Sequence, residues 1–477
     1  VRGIVALALA VTLAHLALAT AGTLHRDELY LLQHGAHAWD GSLDHAICTP
    51  LVARLGGALS GDAAIGLRLV PALTAGLLVL LVAACCARLG GDRRAQLLAG
   101  ALAAGCPVLA YAGGVLGTNA IDLVVAATLT WSVLTIVTAS TPTAPGRPPL
   151  RGWWLLAGAA LALGLANKLS AGLMWATLLA ASACTPTRTW LRTPWPYVAT
   201  AIGALGLVPD LLLGGHPLAL LRAHQAARVR DVAPGELLLG QLVILHPVAL
   251  LAIGAAIVRA RRELAPRVVV LAWAGGGLAL LLARGKPYQW APWAVALIAA
   301  GAPGLRAWLD RRSLTARTAL GGLLALSLVA SATFTVAPPA WLPLHRERVQ
   351  FLDWPGLASQ LATLRDAADL PRPTTVVTSS YGTAAAVERY GASLGLEVRS
   401  GANSYYRWSR PRAPGPRVVL WVGYPDALRA QLCIAPRWLG TLRDARGDNR
   451  YDVPRDVYAC ELRAPLGNVW HALRAFD

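Results

Sequence analysis

Arg26-Asp27-Glu28-Leu29-Tyr30 sets two adjacent carboxylates just beyond the end of an apolar run, and Asp44-His45 follows in the same polar segment. A carboxylate at the edge of a low-dielectric region can take a proton from a hydroxyl. Cations stand at the ends of other apolar runs. Lys168 follows Asn167, Lys286 lies in Arg284-Gly285-Lys286-Pro287-Tyr288, and Arg222, Arg228 and Arg230 fall between the two. Asp122 ends Thr118-Asn119-Ala120-Ile121-Asp122. Ionisable groups at membrane depth are costly and usually face a polar cavity. Lys and Arg suit an anionic lipid phosphate. Together these residue types fit group transfer from a lipid phosphate better than they fit a pore: the carboxylate activates a hydroxyl while the cations stabilise the departing phosphate.

The elements that must position these groups are membrane helices. The chain has 477 residues, 56% hydrophobic and 14% charged, against about 25% charged in a soluble domain. Its apolar residues fall in blocks of about 20, the length that crosses a bilayer. Eleven spans are expected, at 4–24, 66–87, 95–112, 118–138, 152–167, 170–184, 196–214, 237–258, 267–283, 288–304 and 318–337. The loops holding Arg88, Arg93 and Arg94; Arg147 and Arg151; Arg188 and Arg192; Arg259, Arg261, Arg262 and Arg267; and Arg306, Arg311, Arg312 and Arg317 are the basic ones. Basic loops stay in the cytoplasm. The N-terminus is then expected inside, with loop 25–65 and the C-terminal region outside. Arg2, the apolar run after it and Ala19-Thr20-Ala21 imitate a cleaved signal, but the many spans that follow favour a retained helix. Basic loops also account for the net charge of +18, so no nucleic-acid partner is expected.

From about residue 340 the composition becomes that of a soluble domain. The expected division is 1–337 for the membrane domain, with outer loop 25–65, and 338–477 for an extracytoplasmic α/β domain. Pro338-Pro339 marks the boundary, and Thr141 to Pro149 is a linker. Residues 374–379 and 417–422 read as strands, and 382–396 and 426–432 as helices. Such a domain suits a lid or an acceptor-recognition unit. Its Tyr405, Tyr406 and Trp408 either stack on sugar or pack a core. Cys433 and Cys460 are its two cysteines: a disulfide candidate outside the cytoplasm, or two buried thiols. No Cys/His spacing resembles a zinc site.

The motifs, in order, resemble those of the bacterial glycosyltransferase family 39, relatives of the protein O-mannosyltransferases and the lipid A aminoarabinose transferase within the GT-C superfamily. They are Arg26-Asp27-Glu28-Leu29-Tyr30, Gly66-Leu67-Arg68-Leu69-Val70-Pro71-Ala72-Leu73, Asn119-Ala120-Ile121-Asp122, Asn167-Lys168, Gly285-Lys286-Pro287-Tyr288, Ser380-Tyr381-Gly382 with Tyr390-Gly391, and Asn403-Ser404-Tyr405. The resemblance implies a GT-C fold in the bacterial plasma membrane. It also implies transfer of a sugar from a polyprenyl-phosphate carrier to an outer acceptor, which is a lipid, a glycan or a protein. By the same resemblance Asp27 is the catalytic carboxylate, Glu28 assists it or holds the loop, and Asp44 is the second carboxylate. Lys286 and Lys168 face the carrier phosphate, Tyr288 shapes that pocket, Arg26 and His45 complete the donor-side set, and Asp122 supports the first loop. Relatives carry two prolines where this chain has Ala46-Ile47, although Thr49-Pro50 and Arg54 stay in register. No aspartate cluster demands a metal, but a divalent ion can replace some cations. Mannose, arabinose, galactose and amino sugars are all compatible as cargo. Two other readings are a transporter or flippase of a lipid-linked sugar, and a catalytically silent relative that binds carrier lipid.

Overall fold

The computed structural model describes residues 2–19, 23–61, 63–139, 150–214, 233, 235–336, 350–411, 414–445 and 451–475, with side chains omitted at 332–336. The first half of the chain is a helical bundle: α1 (Arg2–Ala19), α2 (Arg26–Ala36), α3 (Cys48–Ser60), α4 (Ala64–Arg88), α5 (Arg93–Ala104), α6 (Pro107–Gly114), α7 (Thr118–Ala139), α8 (Leu150–Leu165), α9 (Ser170–Ala183), α10 (Trp195–Ala204) and α11 (Val208–Leu212). It continues as α12 (Glu236–Ile244), α13 (Pro247–Ala260), α14 (Leu264–Leu282), α15 (Ala291–Asp310) and α16 (Leu314–Val336). Among the described residues, six segments are long and apolar enough to cross a membrane, and two bent pairs and two shorter apolar helices, α8 and α9, accompany them. Each of the eleven expected spans is helical over most of its described residues.

Two of those spans are not straight. The one expected at 95–112 bends by 70° between α5 and α6, and the one at 237–258 bends by 117° between α12 and α13. Each break precedes a proline. Cys106 before Pro107 and His246 before Pro247 are extended (ψ 125° and 158°), because the proline ring crowds a helical residue in front of it. The 117° bend rules out one continuous helix over 237–258.

The C-terminal region is a mixed five-stranded sheet in the order β2-β1-β3-β5-β4. Its elements are α17 (Trp354–Ala367), β1 (Thr374–Thr378), α18 (Tyr381–Tyr390), β2 (Leu396–Ser400), α19 (Tyr405–Trp408), β3 (Val418–Val422), α20 (Asp426–Leu432), β4 (Cys433–Leu442), β5 (Arg455–Leu462) and α21 (Leu466–Val469). The strands read at 374–379 and 417–422 are β1 and β3. The helix read over 382–396 stops at Tyr390, and residues 396–400 form β2 parallel to β1. The long pair β4 and β5 is antiparallel and was not legible in the sequence. The boundary at Pro338-Pro339 and the linker from Thr141 to Pro149 lie outside the described residues.

One face of this sheet contributes Val376, Leu420, Val422 and Val457 to a core that also contains Leu29, Tyr30, Leu31 and Leu32 of α2. Loop 25–65 is thus built into the C-terminal sheet domain. The opposite face packs Val377, Val419 and Trp421 against Leu432, Leu466 and Trp470. There Cys433 and Cys460 form a disulfide, Cα atoms 5.4 Å apart and 27 residues apart in sequence, while the five other cysteines are free thiols. Replacing both cysteines with serine should destabilise the sheet domain by about 3 kcal/mol, the effect of closing a loop of this size in the unfolded chain. Thermal unfolding of the purified protein without reductant reads the shift, and an unchanged midpoint would show that the cross-link adds nothing.

Candidate active site

Helix α2 starts at His25, whose Nδ1 accepts from the Asp27 N–H (3.1 Å), while its own N–H donates to Glu28 Oε2 (2.9 Å). This reciprocal cap satisfies donors that the first helical turn leaves open. Consecutive helical residues point about 100° apart, so Arg26, Asp27 and Glu28 face three ways.

Glu28 is fully buried and faces the bundle. Arg68 of α4 grips it with Nε to Oε1 (2.9 Å) and Nη2 to Oε2 (2.7 Å), and the Leu116 N–H donates to Oε1 (3.0 Å). The rest of the Arg68 guanidinium donates to the Ala19 and Thr23 carbonyls. Glu28 thereby ties the loop to α4 and to Leu116. Arg26 faces the sheet domain. Its Nε lies 2.8 Å from Asp452 Oδ2, Nη2 donates to Ser380 Oγ (3.3 Å), and the guanidinium covers the Tyr381 ring at 3.7 Å. Both Arg26 and Asp452 are buried, so Arg26 joins two parts of the fold.

Asp27 is the acidic residue of this motif that stays open, with its side chain 47% exposed. Tyr381 OH donates to Oδ1 (2.7 Å), and Oδ2 lies 3.9 Å from His25 Nδ1. Partial burial pushes the carboxyl pKa up. The nearby His25, the Tyr381 hydroxyl, Arg26 and His45 outweigh it and hold Asp27 below its ordinary value. It is a carboxylate at neutral pH.

Asp44 is buried and engaged. Both its oxygens accept from Tyr30 OH (2.8 and 2.9 Å), Ser404 Oγ donates to Oδ1, and His45 Nε2 lies 3.8 Å away. Burial raises its pKa, but His45, His34 and these hydroxyls more than reverse that. The Tyr30 and Tyr381 rings pack with centroids 4.6 Å apart, which sets the Asp27 and Asp44 contacts side by side. His34, beneath them, is pushed down to about 3 chiefly by burial, so it stays neutral. Gly35 lets α2 and α3 touch: a Cβ there would stand 2.7 Å from the Pro50 carbonyl oxygen.

A second cluster gathers the remaining motifs. Thr49 Oγ1 donates to Asn167 Oδ1 (2.5 Å), and Asn167 Nδ2 donates to the Thr118 carbonyl (2.8 Å). Lys168 Nζ donates to Asn119 Oδ1 (2.8 Å), stands 3.8 Å from Asp122 Oδ2 and lies 5.3 Å from the centre of the Tyr288 ring. Asp122 accepts from Ser170 Oγ (2.9 and 3.0 Å). These contacts tie Asp122 to the start of α9. The half-buried Lys286 is fixed through its backbone N–H, which donates to Gln289 Oε1 (2.9 Å). Arg222, Arg228 and Arg230 lie outside the described residues. Ile47, where relatives have a second proline, donates its N–H to Asp210 Oδ1 (3.1 Å), a bond no proline can make.

The structure also shows partners that the sequence left unassigned: Tyr381, Asp452 and Glu388. Glu388 accepts from Tyr405 OH and lies 3.0 Å from His37 Nε2. Tyr405 is fully buried, Trp408 stacks on His37 and Tyr406 on Trp470, so these three rings pack the fold. Among the described residues no group of three His, Cys, Asp or Glu side chains is placed to hold a metal ion.

The helical bundle with its C-terminal sheet domain has an ArnT-like GT-C fold. It aligns with ArnT from Cupriavidus metallidurans in the apo state at a TM-score of 0.60 and 15% identity, covering 96% of this chain and 98% of that one. With the same protein bound to undecaprenyl phosphate the TM-score is 0.55 at 15% identity, over 96% and 97%. With the archaeal oligosaccharyltransferase AglB from Archaeoglobus fulgidus, in complex with an inhibitory peptide and a dolichol-phosphate, it is 0.52 at 11% identity, over 90% and 70%. Residues 44–212 match the family model described as dolichyl-phosphate-mannose-protein mannosyltransferase, a stretch that holds Asp44, Asp122 and Lys168. No curated protein matches by sequence. The chain is a multi-pass membrane protein with an ArnT-like fold, and its residues 44–212 are similar to that family model.

Arg68→Ala should destabilise the protein by about 3–5 kcal/mol, because it strands a buried carboxylate. Adding Glu28→Gln should recover part of that loss in the same thermal unfolding measurement.

Proposed function

We propose that the protein is a membrane glycosyltransferase that moves a sugar from a polyprenyl-phosphate carrier to an acceptor hydroxyl on the outer side of the bacterial plasma membrane. One observation carries this reading. Of Asp27, Glu28 and Asp44, only Asp27 keeps a carboxylate exposed, and a tyrosine and a histidine from two different elements surround it. Its neighbours in sequence are spent on holding it there.

In this mechanism the acceptor O–H loses its proton to Asp27 as the acceptor oxygen bonds to the anomeric carbon. The bond from that carbon to the carrier phosphate breaks, and the electron pair leaves with the phosphate. Lys286 and Lys168 stabilise that charge, and Tyr288 borders their pocket. Glu28, Asp44 and Arg26 are positioning residues, and His45 tunes Asp44. The ArnT and AglB structures, whose bound carriers are undecaprenyl phosphate and dolichol-phosphate, support this class of donor. The membrane domain of 1–337, the outer sheet domain of 338–477 and the inside position of the N-terminus belong to the same proposal.

Purified protein in nanodiscs, supplied with polyprenyl-phosphate sugars and a panel of acceptors, tests the reading. Asp27→Asn should cut transfer by about 100-fold or more while carrier binding persists. Lipid-sugar flux without transfer, equal in wild type and variant, would instead establish a flippase. The Tyr381 hydroxyl helps hold Asp27 below its ordinary pKa, and activity requires the carboxylate, so it falls as pH drops through that lowered value. Tyr381→Phe should move this acid limb upward, toward the ordinary value of about 4. A profile that does not move removes Tyr381 from the tuning of Asp27.

A further inference from the structure

On the sheet face turned away from α2, Trp421 of β3 pairs with Tyr458 of β5, and Tyr458 pairs in turn with Trp438 of β4. Side chains at paired positions share a face, so three aromatic residues run in a row across three strands. The row passes from buried Trp421, 1% exposed, through half-buried Tyr458 to Trp438, 58% exposed. A cleft of about 210 Å³ opens beside it, lined by Trp421, Tyr424, Arg429, Arg455, Asp456 and Tyr458 among others. Outside this lining, Trp438 donates through Nε1 to Asp456 Oδ1 (3.3 Å), and Thr441 Oγ1 donates to the same oxygen (2.6 Å). Asp456 Oδ2 is not used by these bonds. The buried Nε1–H of Trp421 has no acceptor among the described residues.

A single exposed tryptophan needs no explanation. Here it stands beside an exposed carboxylate, a second aromatic ring and an unsatisfied buried donor. The charges indicate the ligand. Arg429 lies over Tyr458 at 3.6 Å and pairs with Asp426 at 2.9 Å. Two guanidiniums, Arg429 and Arg455, thus share the cleft with two carboxylates, Asp426 and Asp456, and the sum is neutral. A phosphate would meet both carboxylates. A neutral polyhydroxyl ring meets aromatic faces for its C–H groups, and donors and acceptors for its hydroxyls.

The cleft shares a strand-end edge with the candidate active site. Gly423 (φ +78°) turns the chain directly after β3, and a Cβ there would stand 3.0 Å from Ser379 Oγ and 3.3 Å from Arg455 Cδ. Ser379 precedes Ser380, which receives Arg26.

We infer that the cleft lined by Tyr458, Asp456 and Arg455, with Trp438 bonded to Asp456 beside it, is a saccharide-binding subsite of the C-terminal domain, which holds the glycan portion of the acceptor. Only the word acceptor rests on the transferase reading, since sugar binding here requires no turnover. The subsite holds the acceptor by parts remote from the reacting hydroxyl, which is how a transferase orients a flexible glycan.

The test uses the full-length protein in nanodiscs, titrated calorimetrically with neutral di- to hexasaccharides of mannose, galactose, glucose and arabinose, and separately with inorganic phosphate. At least one saccharide should bind. Trp438→Ala, an exposed change that spares the core, and the isosteric Asp456→Asn should each weaken that binding at least tenfold. Asp27→Asn should bind it as the wild type does. The proposal is overturned if no saccharide binds, if binding ignores both substitutions, or if phosphate alone binds and Arg455→Ala abolishes it. Saccharide binding that depends on Trp438, in a protein that transfers no sugar, would keep the subsite and sink the transferase.

Discussion

The buried ion pair between Glu28 and Arg68 fixes where the acidic loop meets the bundle. A carboxylate removed from water is tolerable only when its lone pairs are filled, and Glu28 has four bonds from three sources. Arg68 extends the anchor to the end of α1 and to Thr23. Since helical residues are separated by about 100°, fixing Glu28 inward turns Arg26 toward the sheet domain and leaves Asp27 between them. The exposure of one carboxylate therefore follows from the burial of its neighbour.

A second constraint locks the other side. Arg26 with Asp452, and Asp44 with Tyr30 and Ser404, tie the loop to residues far away in sequence. The aromatic pair of Tyr30 and Tyr381 transmits this registration from one carboxylate to the other. At Ile47 the backbone N–H, which a proline would lack, is held by Asp210.

The spans were legible because twenty apolar residues leave few alternatives, and the candidate site was legible as a set of ordered motifs. What each carboxylate does was not. Asp27 and Glu28 are adjacent and chemically alike, and only the cap at His25 and the partner at Arg68 separate them. Asp452 carried no motif, because its significance lies in a contact with Arg26 across the fold. Strands β4 and β5 escaped notice because their faces are mixed: β4 holds Pro436, Arg437 and Gly440 and contains bulges, which obscure the alternation that marks a strand. The two bent spans were hidden by hydropathy, which registers apolarity and ignores the backbone cost of a single proline.

The ion pair of Arg26 and Asp452 joins the second helix to the segment just before β5. On a ribosome adding about 5–20 residues per second, Asp452 is made on the order of 20–85 s after Arg26. Throughout that interval the loop has its inner anchor, because Arg68 follows Glu28 closely, but lacks its outer one. The Arg26 guanidinium must spend the time in water or against anionic head groups. The membrane half is thus assembled around an acidic loop that closes only when Asp452 is delivered. Errors late in synthesis would leave an inserted protein with Asp27 unplaced.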